Sequence, residues 1–200
     1  MKDLYEQLRR AVFLDKDGTL IPDIPYNVNP DLITLENETI EGLRILKNEG
    51  FMLVVVSNQS GVAKGYFEEE ALNGVWNKIS ALLQQHHLTI DAFYYCPHYP
   101  QGEKKEYATE CDCRKPLPGL ILQAAKELKI DLAQSWMIGD ILNDVEAGNK
   151  AGCSTVLIDN GNETEWLVNP ERTPVFTAKN ILEAAAFIKL QVAKLIEHEE

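Results

Sequence analysis

Two hundred residues, 45% hydrophobic and 25% charged, suffice to close one α/β core and are too apolar for a disordered chain. A net charge of −12 argues against a partner that must be met with a basic face, nucleic acid above all. No apolar stretch reaches bilayer length, since the run at 51–56 is long enough only for a strand, and no membrane partner is expected.

In chain order, residues 1–10 form an N-terminal extension, read as a short helix. It lacks the apolar block and small-residue cleavage site of a signal peptide, so a cytoplasmic protein is expected. The strand at 11–15 runs Ala11-Val12-Phe13-Leu14 and stops on Asp15, with Asp17 two places on and Gly18 next. A buried strand needs no acid at its tip, and two carboxylates in one turn repel unless a cation sits between them. One carboxylate suits attack on an electrophile and the other suits proton transfer. An aperiodic loop at 21–29 leads to a helix at 37–48, with Ile40, Leu43 and Leu46 at helical spacing. The strand at 52–57 is almost continuously apolar, as a parallel strand covered on both faces should be, and it ends on Ser57. A helix at 68–86, a strand at 92–96 and a second aperiodic loop at 97–110 follow. A helix at 118–128 opens on proline. The strand at 135–139 ends on Gly139-Asp140, and a helix at 142–151, strands at 154–158 and 174–176 and a helix at 181–196 complete the chain.

Alternating strands and helices predict a mainly parallel sheet with helices on both faces, in one domain over 1–200. Ligands of such sheets bind beyond the carboxyl ends of the strands. Asp15, Ser57 and Asp140 should therefore share one edge, although dozens of residues separate them in sequence.

The cysteines supply a second constellation. Cys96-Pro97-His98, twelve residues, then Cys111-Asp112-Cys113 offer three thiolates and an imidazole. This donor set suits tetrahedral Zn²⁺ better than a disulfide framework. Four protein ligands would leave no open position, so the zinc would be structural, ordering the loop at 96–113. Arg114 and Lys115 follow Cys113 directly and would be positioned by it. Cys153 stands apart and reads as a packing residue.

Taken together, Asp15-x-Asp17-Gly18-Thr19, Ser57, Lys115 and Gly139-Asp140-x-x-x-Asp144 resemble the four motifs of the haloacid-dehalogenase-type (HAD) phosphohydrolases, in the right order and at strand tips. The resemblance, over about residues 11–190, implies a Rossmann-like three-layer sandwich. It implies that Asp15 is a nucleophile forming an aspartyl phosphate, and that Asp17 protonates the leaving alkoxide and then activates water. It further implies Mg²⁺ held by Asp15, Asp140 and the backbone carbonyl of Asp17, with Asp144 holding a water or another ligand rather than the ion. Ser57 and the Asn58 amide would bind phosphoryl oxygens, Lys115 would add charge, and Gln59 belongs with them in the substrate-binding set.

Between Ser57 and Lys115 there is no stretch left for a separate cap domain, so loops 22–30, 59–67 and 98–114 should carry specificity. The segments Ser57-Asn58-Gln59-Ser60-Gly61-Val62-Ala63-Lys64-Gly65, Tyr94 to Gly102 and Cys111-Asp112-Cys113-Arg114-Lys115-Pro116 resemble those of the D-glycero-D-manno-heptose 1,7-bisphosphate phosphatases. That implies a sugar-phosphate substrate losing its C7 phosphate, in a route to envelope glycans such as lipopolysaccharide, with Arg114 on the retained phosphate or the sugar and Lys64 beside it. A histidinol-phosphate phosphatase is the nearest alternative, although its loop between histidine and Cys-x-Cys is usually shorter. A polynucleotide 3′-phosphatase is opposed by the charge, and a non-enzymatic zinc-stabilised binding module by the intact acidic set. One departure is Ile141, where such relatives often carry lysine. No long apolar surface stripe is evident, so a monomer is expected.

Overall fold

The computed structural model describes residues 8–199. The helix expected at 1–10 falls outside the described residues except for its end, where Arg9 instead forms an isolated parallel bridge to Ile130. Six strands, β1 (Ala11–Leu14), β2 (Met52–Asn58), β3 (Ala92–Cys96), β4 (Trp136–Gly139), β5 (Ser154–Ile158) and β6 (Phe176–Ala178), form one sheet in the order β3-β2-β1-β4-β5-β6. All five pairings are parallel.

The apolar strands are explained by two covered faces. Val12, Leu14, Leu53, Val55 and Ile138 pack under α1 (Asn37–Asn48), α2 (Ala71–Gln84) and α5 (Ile181–Glu199). Their neighbours Ala11, Phe13, Val54, Val56 and Met137 pack under α3 (Gly119–Leu128) and α4 (Leu142–Ala151). The period-two alternation of side chains thus feeds two cores, and the molecule has three layers. The chain builds outward from β1 to β3, then returns to lay β4 on the other side of β1. The junction of β1 and β4 is therefore the topological switch point, where a crevice opens beyond the strand ends. Asp15 and Asp140 are the residues immediately past those two ends.

Most predicted elements stand; α5 runs on to Glu199 instead of ending at 196, and three other boundaries shift. Residues 68–70 form i→i+3 turns into α2 rather than its first turn. The helix also ends early, because His87 adopts a left-handed φ of 58° and Leu88 N–H returns to the Leu83 carbonyl. The last strand begins at Phe176 instead of 174, because a short 3₁₀ turn at Pro170–Arg172 comes first and Val175 N–H only then reaches Thr155. Among the described residues there is no second sheet and no helix long and apolar enough to cross a membrane.

Candidate active site

β1 delivers Asp15, and the turn after it delivers Asp17. That turn needs Gly18, whose φ is +78° and whose missing Cβ would lie 2.1 Å from Asp140 Oδ2. β2 delivers Ser57 and Asn58, and β4 delivers Asp140. Gly139 makes room for Asp144 on the first turn of α4, since a Cβ there would sit 2.2 Å from the Asp144 Cβ. Asp15, Asp17, Ser57, Asn58, Lys115 and Asp140 line a single cavity of about 220 Å³, with Asp144, Ile141, Asn162 and Asp23 completing its wall.

Lys115 is the cation of this cavity and is 3% exposed. Its Nζ donates to Asp15 Oδ1 at 2.5 Å and to the Val56 carbonyl at 2.9 Å. Nζ also lies 2.7 Å from Asp144 Oδ1, forming a buried ion pair. Burial pulls the lysine's pKa down, but Asp144 and Asp15 outweigh it, and the net shift is upward. It therefore stays charged.

The acids also shift upward, which for them disfavours the charged form. Burial, then Asp15 and Asp144, push Asp140 up; burial, against Lys115, pushes Asp144 up. One lysine thus faces three crowded carboxylates, which is the electrostatic profile of a cation site. Oxygens of Asp15, Asp140 and Asp144 lie within 4.8 Å of one another. An all-oxygen set of this kind fits a hard divalent cation.

Asp17 is held from two sides. Its Oδ1 accepts from Lys16 Nζ at 2.6 Å and its Oδ2 from Gln59 Nε2 at 3.2 Å. Burial pushes its carboxyl up, Lys16 opposes and Asp15 adds to the rise. Such a group can carry a proton closer to neutrality than an ordinary aspartate.

Cys96, His98, Cys111 and Cys113 converge as the spacing predicts. Sγ atoms of Cys96 and Cys111 are 3.5 Å apart, those of Cys111 and Cys113 are 3.2 Å apart, and His98 Nδ1 lies 3.7 Å from Cys96 and 3.3 Å from Cys113. A tetrahedron with metal–sulfur arms of about 2.3 Å has edges of about 3.8 Å. The four donors are therefore gathered at nearly the right size for one zinc ion. The Cys113 thiol is pushed up by Cys96 and by burial, a cost a dication would remove.

Beyond the loop, Asn58 receives Lys115 as a strand would. Its Nδ2 donates to the Lys115 carbonyl at 3.0 Å, and its Oδ1 accepts the Lys115 N–H at 3.0 Å.

Two predicted residues lie outside this cavity wall. Gln59 is buried behind Asp17 and Ser57, and Arg114 faces an adjoining, larger opening with Lys115 and Asn143. Arg114 sits over the Tyr99 ring at 5.3 Å, and Lys64 over the same ring at 4.8 Å. Lys64 also donates to the Tyr26 hydroxyl at 2.6 Å, and Tyr26 meets Tyr66 edge-on at 4.7 Å. The three predicted specificity loops are thus stitched into one rim of cations and tyrosines.

Sequence reasoning missed several supports. Thr19 Oγ1 and Asn162 Nδ2 both donate to Asp140, at 3.2 and 2.6 Å, so its network is complete without a lysine at the Ile141 position. Asn160 donates to the Gly18 carbonyl at 2.7 Å, and Glu163 caps the Leu142 N–H at 2.6 Å. Their position just past the end of β5, on the same sheet edge, was the available signal.

Comparison with known proteins agrees with this geometry. The HAD-hydrolase-like family model matches residues 112–184. The chain is 46% identical to the D-glycero-beta-D-manno-heptose-1,7-bisphosphate 7-phosphatase of Haemophilus influenzae over 141 residues, covering 70% of this chain and 76% of that one. It is 40% identical to the same-named enzyme of Escherichia coli K12 over 168 residues, covering 80% and 88%. The crystal structure of a D,D-heptose 1,7-bisphosphate phosphatase from B. bronchiseptica, in complex with magnesium and phosphate, superposes with a TM-score of 0.75 at 28% identity, over 91% of this chain and 99% of that one.

Proposed function

The chain belongs to the HAD-like phosphatases, in the D-glycero-β-D-manno-heptose-1,7-bisphosphate 7-phosphatase family, and on that premise we propose how its own residues remove the C7 phosphate of such a bisphosphate. The carrying observation is the convergence of Asp15, Asp17, Ser57, Lys115 and Asp140 on one small cavity at the switch point.

Asp15 attacks phosphorus and becomes the aspartyl phosphate, splitting one difficult hydrolysis into two easier steps. Asp17 gives its proton to the departing sugar oxygen and then takes one from the water that cleaves the mixed anhydride. Ser57, the Asn58 N–H and Lys115 hold phosphoryl oxygens. Mg²⁺ on Asp15, Asp140 and the Asp17 carbonyl, with Asp144 beside it, would shield the phosphate dianion from the anionic nucleophile. Zinc on Cys96, His98, Cys111 and Cys113 would fix the loop that carries Arg114 and Lys115.

The deciding experiment compares kcat/KM on heptose 1,7-bisphosphates, histidinol phosphate and a 3′-phosphorylated oligonucleotide with Mg²⁺ present. The heptose bisphosphate should lead; a lead for histidinol phosphate would replace the substrate assignment and keep the chemistry.

The two aspartates separate by leaving group. Asp17→Asn should lower kcat/KM, which reports the steps through formation of the aspartyl phosphate, by about 10²–10⁴-fold on an alkyl phosphate. On p-nitrophenyl phosphate, whose leaving group needs no proton, the loss should be far smaller. Equal losses on both would remove the acid role.

The tyrosine and cation rim supports recognition of the retained end of the substrate. Arg114→Ala combined with Lys64→Met should lower kcat/KM on the bisphosphate by about 10–100-fold, the worth of charge-assisted hydrogen bonds. The loss on p-nitrophenyl phosphate, which has no second phosphate, should be at least about tenfold smaller.

A further inference from the structure

We propose that Gln59 is a positioning residue that fixes both the proton donor and the phosphate-binding serine, rather than a ligand of the substrate; the inference rests on the roles given above to Asp17 and Ser57. A glutamine amide nitrogen has two protons to give. In Gln59 one goes to Ser57 Oγ at 2.8 Å and the other to Asp17 Oδ2 at 3.2 Å. Nothing is left for a phosphoryl oxygen, which needs a donor. The remaining Oε1 is an acceptor and would repel an anion. Flipping the amide would set Oε1 against the Asp17 carboxylate, so the neighbours fix its orientation.

The placement is over-determined. Gln59 is 6% exposed. Its N–H donates to the Cys96 carbonyl at 2.8 Å, and its own carbonyl accepts from Val62 at 3.2 Å. The side chain therefore reaches the site from a backbone tied to the end of β3, beside the cysteine cluster.

Two consequences follow for the chemistry. A serine hydroxyl has one proton, and because Ser57 Oγ receives the Gln59 N–H on a lone pair, that proton is free to turn toward the cavity that Ser57 lines. Asp17, with Lys16 on one oxygen and Gln59 on the other, is locked in a single rotamer facing the same cavity. A misplacement of about an ångström in either group costs on the order of 10²-fold in rate.

The test is Gln59→Met, close in length but without donors. The expected result is a kcat on the sugar bisphosphate reduced about 10–100-fold with KM within about twofold. On p-nitrophenyl phosphate, the loss in kcat/KM should be several-fold smaller than on the bisphosphate, because the step that forms the aspartyl phosphate then needs no proton from Asp17. Added to Asp17→Asn, the Gln59 change should cost only what it costs on p-nitrophenyl phosphate, since its action through Asp17 is already lost. An unchanged kcat with a raised KM would overturn the proposal in favour of direct substrate contact. Fully multiplicative losses with Asp17→Asn would overturn the link to the proton donor. Should Gln59→Met fail to fold, Gln59→Leu, likewise without donors and without added charge, is read by the same criteria. Wild-type protein inactive on every phosphate ester would instead defeat the phosphatase reading itself.

Discussion

Asp15→Asn should abolish turnover, with kcat falling by at least about 10⁴-fold, while the protein keeps its fold. Asparagine has the shape of aspartate but cannot form an acyl phosphate, so the two-step route is closed and not merely slowed. Lys115 loses one carboxylate partner but keeps Asp144 at 2.7 Å, so no buried cation is stranded. The substitution also removes a negative charge that presses on Asp140 and Asp144. Without divalent cations, the variant should therefore melt at the same temperature as wild type or higher. With Mg²⁺ added, wild type should gain more than the variant, because the cation then has one fewer anionic ligand to neutralise. Acid-quenched wild-type enzyme should carry one phosphoryl group per chain by mass, and the variant none. Activity within about tenfold of wild type, or a phosphorylated variant, would remove Asp15 from its role.

Loss of the cysteine cluster should act on two readouts at once. Cys113→Ser should lower bound zinc below one per chain and reduce the melting temperature, because metal-binding energy in such clusters is folding energy. It should also reduce kcat on the order of 10²-fold, through displacement of Arg114 and Lys115, which directly follow Cys113. Measuring metal content, melting and rate together separates the alternatives. Zinc-free protein with wild-type kcat and a lowered melting temperature would show a cluster that stabilises the chain without positioning the lysine. A variant that retains zinc and full rate would remove Cys113 from the ligand set.

Much of this molecule was legible because its chemistry sits at strand ends. Apolar runs of strand length, broken by Asp15, Ser57 and Asp140, announce both the parallel sheet and the edge where a ligand binds. The cysteine cluster was legible because its donors have no other use at that spacing. What stayed hidden depends on side chains meeting across the edge. Asn162 and Thr19 have no sequence pattern tying them to Asp140, and Lys16 reads as an ordinary lysine until its burial against Asp17 is seen. The sequence places Gln59 with the substrate-binding set, and only geometry reveals that its two amide protons meet Asp17 and Ser57. The ends of α2 and β6 moved because turn chemistry at 68–70 and 170–172 competes with the periodicity around it.

The paired hydrogen bonds between the Asn58 side chain and the Lys115 main chain have a bearing on how this surface can be redesigned. They moor the far end of the loop to the sheet, while the cysteines and His98 gather its two ends. The twelve residues from Tyr99 to Glu110 lie between these posts and are tied in the middle as well, by Lys104 N–H to the Ala63 carbonyl at 3.0 Å and by the Tyr107 hydroxyl to Glu69 at 2.7 Å. Exposed side chains of the segment that make none of these ties, such as Lys105 and Glu106, can be exchanged to admit bulkier or differently charged substrates, and the lysine that meets the phosphate should stay in register throughout.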